Sequence, residues 1–167
     1  MNAAPHFQFS ISRVFDAPRA LVWNAFTDPD ALIQWWSPKG FKNRFAKVDL
    51  RPGGMYHYGL ETPQGQRFCG RFVYREVVAP ERLVYVMSFA DENAEIVRNI
   101  WNDTWPLELL SIVTLTDEPD GRTRFSLTSY PVNATPEETA AFEEGAPSMT
   151  AGFGGTFDQL VDYLAKT

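Results

Sequence analysis

Phe7, Phe9 and Ile11 alternate with Gln8, Ser10 and Ser12, a period of two that predicts a strand with one buried face. Arg13 falls on the apolar side of that alternation. In "FDAPRALVWNAF" the period lengthens. Leu21, Val22, Ala25 and Phe26 form the inner face of a short helix, with Asp16 and Pro18 read as its first-turn residues. "TDPDALIQWW" predicts a second short helix, with Asp28 as N-cap and Pro29 at the first helical position. From about residue 43 period two returns. "NRFAKVDL", "MYHYGL", "RFCGRFVYREVV", "RLVYVMSF", "LELLSIVTLTDE" and "RTRFSLTSY" predict further strands, joined by turn signals at Pro52-Gly53, "QGQ", "APE" and "PDG". The expected sheet has about seven strands, mostly meandering and therefore antiparallel. Residues 90–106, "ADENAEIVRNIWNDTWP", fit no strand and read as a long loop.

The last element opens on Thr135 and Glu138, a capping-box pair, with Pro136 at the first helical position. Gly145 and Pro147 threaten this helix, yet Phe142, Ala146, Met149 and Phe153 keep the apolar stripe in phase across them. Phase continuity predicts one kinked helix over about 136–164. Its second half carries Met149, Phe153, Phe157, Leu160, Val161 and Leu164 at helical spacing, together with Gly152, Gly154 and Gly155. Three helix-interior glycines cost on the order of 2.5–3 kcal/mol against alanine. They let another segment approach closely, or they leave room for a guest.

An antiparallel sheet needs its apolar face covered, and two short helices cannot cover seven strands. The long terminal helix must do most of it. The expected architecture is α+β in one domain over residues 1–167. A curved antiparallel sheet wraps around the C-terminal helix, and two short helices follow strand 1. A twisted sheet curled around a helix leaves a gap wherever the two surfaces do not interdigitate.

Composition narrows the partners. The 167 residues suit a single domain with a substantial core. With 13 Phe, 6 Tyr and 5 Trp, ring surface is abundant, enough to pack solidly or to line a hollow. A net charge of −6 without a basic stripe argues against nucleic acid and anionic membranes. One cysteine, Cys69, forms no internal disulfide, and no Cys/His cluster points to a metal. No secretory signal and no apolar run near 18 residues is read, so the expectation is a cytoplasmic protein without membrane insertion. No cofactor is implied.

The stretches "FDAPRALVWNAFTDPDALIQWWSPKGF", "VDLRPGGMYHY", "GRFVYREVVAPERLVYVMSF" and "GFGGTFDQLVDYL" resemble the START-like, birch-pollen-allergen-like superfamily known as SRPBCC. More narrowly they resemble the bacterial branch of the activator of heat-shock-protein-90 ATPase homologue family. Ala17, Pro18, Val22, Trp23, the Trp35-Trp36 pair, Asp49 to Gly54 and "PERL" match its pattern, and Phe153 stands where tryptophan is common. The resemblance implies a helix-grip fold with an apolar cavity between sheet and long helix. It implies no single activity, since members bind lipids, steroids or polyketides and some catalyse.

Candidate chemistry is sparse. His6 reads as solvated. His57 reads as a structural residue, or as a ligand contact or general base if its strand face is concave. Cys69 shares a face with Arg67 and Arg71, which would lower its pKa if close, although a buried Cys without a role is the plainer reading. Arg13, if buried, needs a carboxylate, with Glu108 and Glu76 as candidates, and could hold an acidic ligand head. Trp23 reads as core. Trp101 and Trp105, in the long loop, read as a cavity mouth or partner surface. The expected ligand contacts are Arg13, Trp36, His57, Trp101, Trp105, Met149, Phe153 and Phe157 around a small hydrophobic ligand. A chaperone or a second copy of the chain is the alternative partner. A cyclase- or hydrolase-type use of the cavity would require a polar pair facing inward.

Overall fold

The computed structural model describes residues 7–167, so His6 lies outside the described residues. Seven strands form one sheet: β1 (Phe9–Phe15), β2 (Lys42–Val48), β3 (Met55–Glu61), β4 (Arg67–Val78), β5 (Arg82–Ala90), β6 (Leu109–Asp117) and β7 (Thr123–Pro131). Their spatial order is β1-β7-β6-β5-β4-β3-β2, with every neighbouring pair antiparallel. The meander from β2 to β7 follows the turn chemistry. Gly53, Gly65 and Gly121 supply positive φ at three of its corners.

Two short helices follow β1, α1 (Arg19–Thr27) and α2 (Pro29–Trp35). Asp28 caps α2 by accepting a hydrogen bond from the Asp30 backbone N–H at 2.8 Å. At α1 the expectation needs correction. Pro18, with φ −68 and ψ 155, is itself the N-cap, and no side chain caps the helix, so Asp16 plays no capping part. Proline's fixed φ suits that extended position, and it has no N–H to leave unpaired.

The C-terminal element is two helices rather than one kinked rod: α3 (Pro136–Glu144) and α4 (Ala146–Ala165). The break falls at Gly145, and Pro147, two residues on, has no N–H to return to the preceding turn. The Thr135–Glu138 capping box is present at the start of α3. The apolar stripe does cross the break, with Phe142 fully buried and Ala146, Met149 and Phe153 packed on the core. α4 packs against β1, α1 and α2.

Between sheet and helices sits a core of rings. Phe26 of α1 lies within 5.2–6.3 Å, centroid to centroid, of Trp35, Trp36, Phe72, Tyr85 and Phe125. Phe72 and Tyr85 stack at 4.0 Å. Trp35 is fully buried and donates its indole N–H to the Ala25 carbonyl at 2.8 Å. Trp23 is half-buried against this cluster. The core fills the end of the fold near α1 and α2. Toward the start of α4, the sheet and the helix separate.

Candidate functional site

Where they separate lies a hollow of about 720 Å³. Strands β3 to β5 supply Tyr58, Leu60, Phe68, Met87 and Phe89, and the α2–β2 turn supplies Trp36, Pro38 and Phe41. Met149, Gly152, Phe153 and Thr156 of α4 form the opposite wall. The loop after β5 closes one side with Asn99, Trp101, Asn102 and Trp105. A second hollow of about 210 Å³ adjoins it, and Met87, Phe89, Asn99, Trp105, Met149 and Phe153 border both. Among the described residues lining the two hollows, none is Asp, Glu, Lys, Arg or His.

Of the eight residues expected around a ligand, the structure brings five to this site. Trp36, Met149, Phe153, Trp101 and Trp105 line the larger hollow. Trp101 is 54% exposed and packs edge-on to Phe68 at 5.0 Å, so it stands at the mouth. Trp105 leans on Phe142 at 5.5 Å, and a side chain at Gly145 would collide with its ring.

Three expectations are corrected. Phe157 is fully buried against Phe15 and Phe125, so its ring belongs to the packed core and lines neither hollow, although its neighbour Thr156 does reach the larger one. Arg13 does lie on the helix side of β1, but its partner is Asp158 of α4, at 2.7 Å, not Glu108 or Glu76. Those two glutamates bond Asn133 and Arg82 instead. Arg13 is half-exposed and lines neither hollow. His57 lies on the outer face, because its neighbours Tyr56 and Tyr58 turn inward to the ring core. It hydrogen-bonds through Nε2 with the Asp91 carbonyl at 3.0 Å and packs on Phe45 at 4.9 Å. With both residues off the cavity, a cyclase- or hydrolase-type mechanism loses the inward polar pair that the sequence offered for it.

The long loop is held on both faces of the sheet. Across the outer face, Arg71 Nη1 donates to the Ala94 carbonyl at 2.8 Å, and Arg44 Nη2 donates to Glu92 Oε2 at 2.7 Å. Cys69 Sγ donates to the same Glu92 oxygen at 3.0 Å. The thiol is pushed up to about 11, by burial first and then by the Glu92 carboxylate. The lowering that close Arg67 and Arg71 would give is not realised. Arg44, 3.5 Å from the sulfur, is the nearby cation rather than Arg67 or Arg71, and its pull does not outweigh the other two effects. Glu92 itself is lowered to about 2 by its hydrogen bonds from Arg44 and Cys69. On the helix side, Arg98 donates to Glu138 Oε2 and to the Trp105 carbonyl, tying the loop to the capping box of α3. That contact holds the Glu138 carboxyl below the ordinary range.

The glycines of α4 now have a steric answer. A Cβ at Gly152 or Gly154 would meet nothing within 4 Å, and one at Gly155 would make only ordinary contact with Lys39 at 3.6 Å. Close approach of another segment does not explain them. Gly152 leaves open space at the wall of the larger hollow.

The profile of the family described as "Activator of Hsp90 ATPase homolog 1-like protein" matches residues 16–165. The chain belongs to this family. Solved structures of the same shape include a protein from Nitrosomonas europaea, 25% identical, TM-score 0.74, covering 95% of this chain and 94% of that one. A protein from Mycobacterium smegmatis is 25% identical, with a TM-score of 0.76 and coverage of 96% and 91%. One from Arthrobacter aurescens is 26% identical, with a TM-score of 0.76 and coverage of 96% and 87%. No curated protein matches the chain in sequence. The chain is a helix-grip α+β protein, and no helix among its described residues is long and apolar enough to cross a membrane.

Two features of the site lie outside the expectations drawn from residue spacing. Tyr58 and Phe68 line the hollow because they fall on the inward phase of their strands, which needs the face of the sheet to be known. Ser111 and Ser129 border the smaller hollow. They are visible in the sequence as polar interruptions of the inward apolar phase Leu109, Val113, Leu115 and Phe125, Leu127.

Proposed function

We propose that the protein binds a small, largely apolar molecule between the sheet and α4. The observation that supports this is the volume of about 720 Å³, walled mainly by aromatic, Met and Leu side chains, with Ser, Thr and Asn among its polar lining and no charged residue. Small-molecule pockets span roughly 300–1,000 Å³ and are lined in this way. Each 100 Å² of apolar ligand surface buried there contributes about 2.5 kcal/mol before the costs of association. Trp36, Trp101, Trp105, Met149 and Phe153 are the proposed contacts among the residues expected from the sequence, joined by Tyr58, Phe68 and Phe89.

The test is titration with the neutral dye N-phenyl-1-naphthylamine, read by its fluorescence, alongside native mass spectrometry of freshly purified protein. Saturable one-to-one binding is expected, and Gly152→Trp, whose ring would enter the hollow, abolishes it while the fold is retained. Dye binding that is absent, or unchanged in Gly152→Trp, rejects the reading. The family's description supports a second reading, stimulation of an Hsp90-type ATPase. Ile100 and Trp101, exposed side by side on the loop, are the surface a chaperone would meet. ATPase rates that are unchanged by the protein would dismiss it.

A further inference from the structure

The smaller hollow has a polar floor. Strand register places Tyr85 opposite Ser111, Ser111 opposite Ser129, and Ser129 opposite Phe9, one row across β5, β6, β7 and β1. All four residues are buried on the inward face and line the 210 Å³ space. The rest of that wall is apolar apart from Asn99: Leu109, Leu127, Met87, Phe89, Met149, Phe153 and Trp105. The Ser111 and Ser129 hydroxyls bond one another at 2.8 Å. The Tyr85 hydroxyl is a further side-chain hydrogen-bond partner of Ser111, so the three hydroxyls of the row spend two of their three hydrogens on one another and leave the third, with several lone pairs, for a guest. Two serines on facing strands of an apolar layer are costly to bury for packing alone, because a hydroxyl fills the space of a methyl group without its transfer energy.

From this row we propose that the bound molecule is electrically neutral at its buried end and carries there one hydrogen-bonding oxygen, an alcohol or ketone. That oxygen docks on the Ser111–Ser129 pair, beneath Phe153 and Met149. The inference rests on the cavity reading above and refines it. Neutrality follows from the lining. An ionised carboxylate or ammonium buried beyond Phe153 would lose its hydration and find no counter-charge, since neither hollow is lined by a charged side chain. Arg13, the cation the sequence offered for an acidic head, is committed to Asp158 and lines neither hollow. An ionised group on the ligand must remain at the mouth, in water near Trp101.

The experiment is competition against bound N-phenyl-1-naphthylamine at pH 8, with decan-1-ol and decanoate as the two competitors. The protein is the full chain, compared with Ser111→Ala/Ser129→Ala. Removing both hydroxyls together leaves neither orphaned. The expected result is that the double variant binds decan-1-ol about three- to tenfold more weakly, the loss of one or two neutral hydrogen bonds. Decanoate, held with its carboxylate at the mouth, competes equally well with both proteins. Tyr85→Phe, tested in the same way, keeps the question open to refutation should the double variant not fold, and a drop in decan-1-ol affinity alone is again expected. If the dye binds but decan-1-ol is indifferent to both substitutions, or decanoate loses as much as the alcohol, the docking row is refuted and the cavity reading survives. If the dye does not bind the unaltered protein, both fall together.

Discussion

Gly152 and Gly154 sit inside α4 with open space where a side chain would be. Neither has positive φ, so alanine fits the backbone at both. Gly154→Ala should therefore stabilise the protein by roughly 0.8–1 kcal/mol, and the double change with Gly152→Ala by roughly twice that. Urea denaturation measures this, and a destabilised alanine variant would mean that something packs on this face. The contrast with Gly70 is informative. A Cβ there would strike the Tyr58 hydroxyl, so Gly70 is required for packing as the α4 glycines are not. The same scale explains the inert thiol. Cys69 is buried against Glu92, and its pKa of about 11 keeps it protonated at neutral pH.

At the scale of elements, the loop between β5 and β6 is the part of the site with the weakest claim to its own position. It spans residues 91–108 with one isolated bridge, Ala90 to Ile96, and borrows its order from neighbours. Glu138 is the joint on the helix side, serving both the α3 capping box and Arg98. Glu138→Ala removes both, and should cost about 1–2 kcal/mol while raising amide exchange through residues 98–105. Glu138→Gln, which can keep the cap but not the ion pair, should show the exchange effect with a smaller loss. The carboxyls of Glu138 and Glu92 are both held below their ordinary value of 4.5 in the folded chain. Their contribution to stability is thus complete above about pH 4.5 and declines as pH falls, reaching about 2 for Glu92. Chemical denaturation from pH 6 to pH 2.5 should show loosening of the loop over that range. The effect should be diminished at Glu138 in Glu138→Gln. Because Glu92 is largely solvent-exposed, screening makes its share the smaller of the two.

Across the whole molecule, packing density divides the sheet in two. At the α1–α2 end, Phe72 is stacked on Tyr85 and ringed by Phe26, Trp36, Tyr56 and Tyr58. Phe72→Ala should cost about 3–5 kcal/mol, the range for a filled core. Phe68, four residues earlier on the same strand and phase, is half-buried and borders the hollow. Phe68→Ala should cost well under half as much, since few atoms lose a neighbour, and should weaken dye binding. Urea denaturation of both variants compares the two directly. Equal costs would mean that the two ends of the sheet are packed alike.

Much of this protein was legible along the chain. Period-two alternation located all seven strands, Asp28 and the Thr135–Glu138 box marked two helix starts, and "PDG" marked a hairpin, because each signal acts through neighbours a few residues away. The gap between sheet and terminal helix was also expected, because a twisted sheet curled around a helix does not interdigitate with it everywhere. What periodicity cannot supply is which phase of a strand points inward. That choice belongs to long-range pairing and to the side on which the helices pack. It sent His57 to the outer face, gave Arg13 the carboxylate of Asp158 from across the fold, and set Glu92 rather than an arginine against Cys69 as the dominant neighbour. It also drew Tyr85, Ser111 and Ser129 into one row, although 44 residues separate the first from the last in "YVMSF" to "SY". Local order was written in residue spacing. The chemistry of the cavity was decided by strand register, which acts between residues that the chain holds far apart.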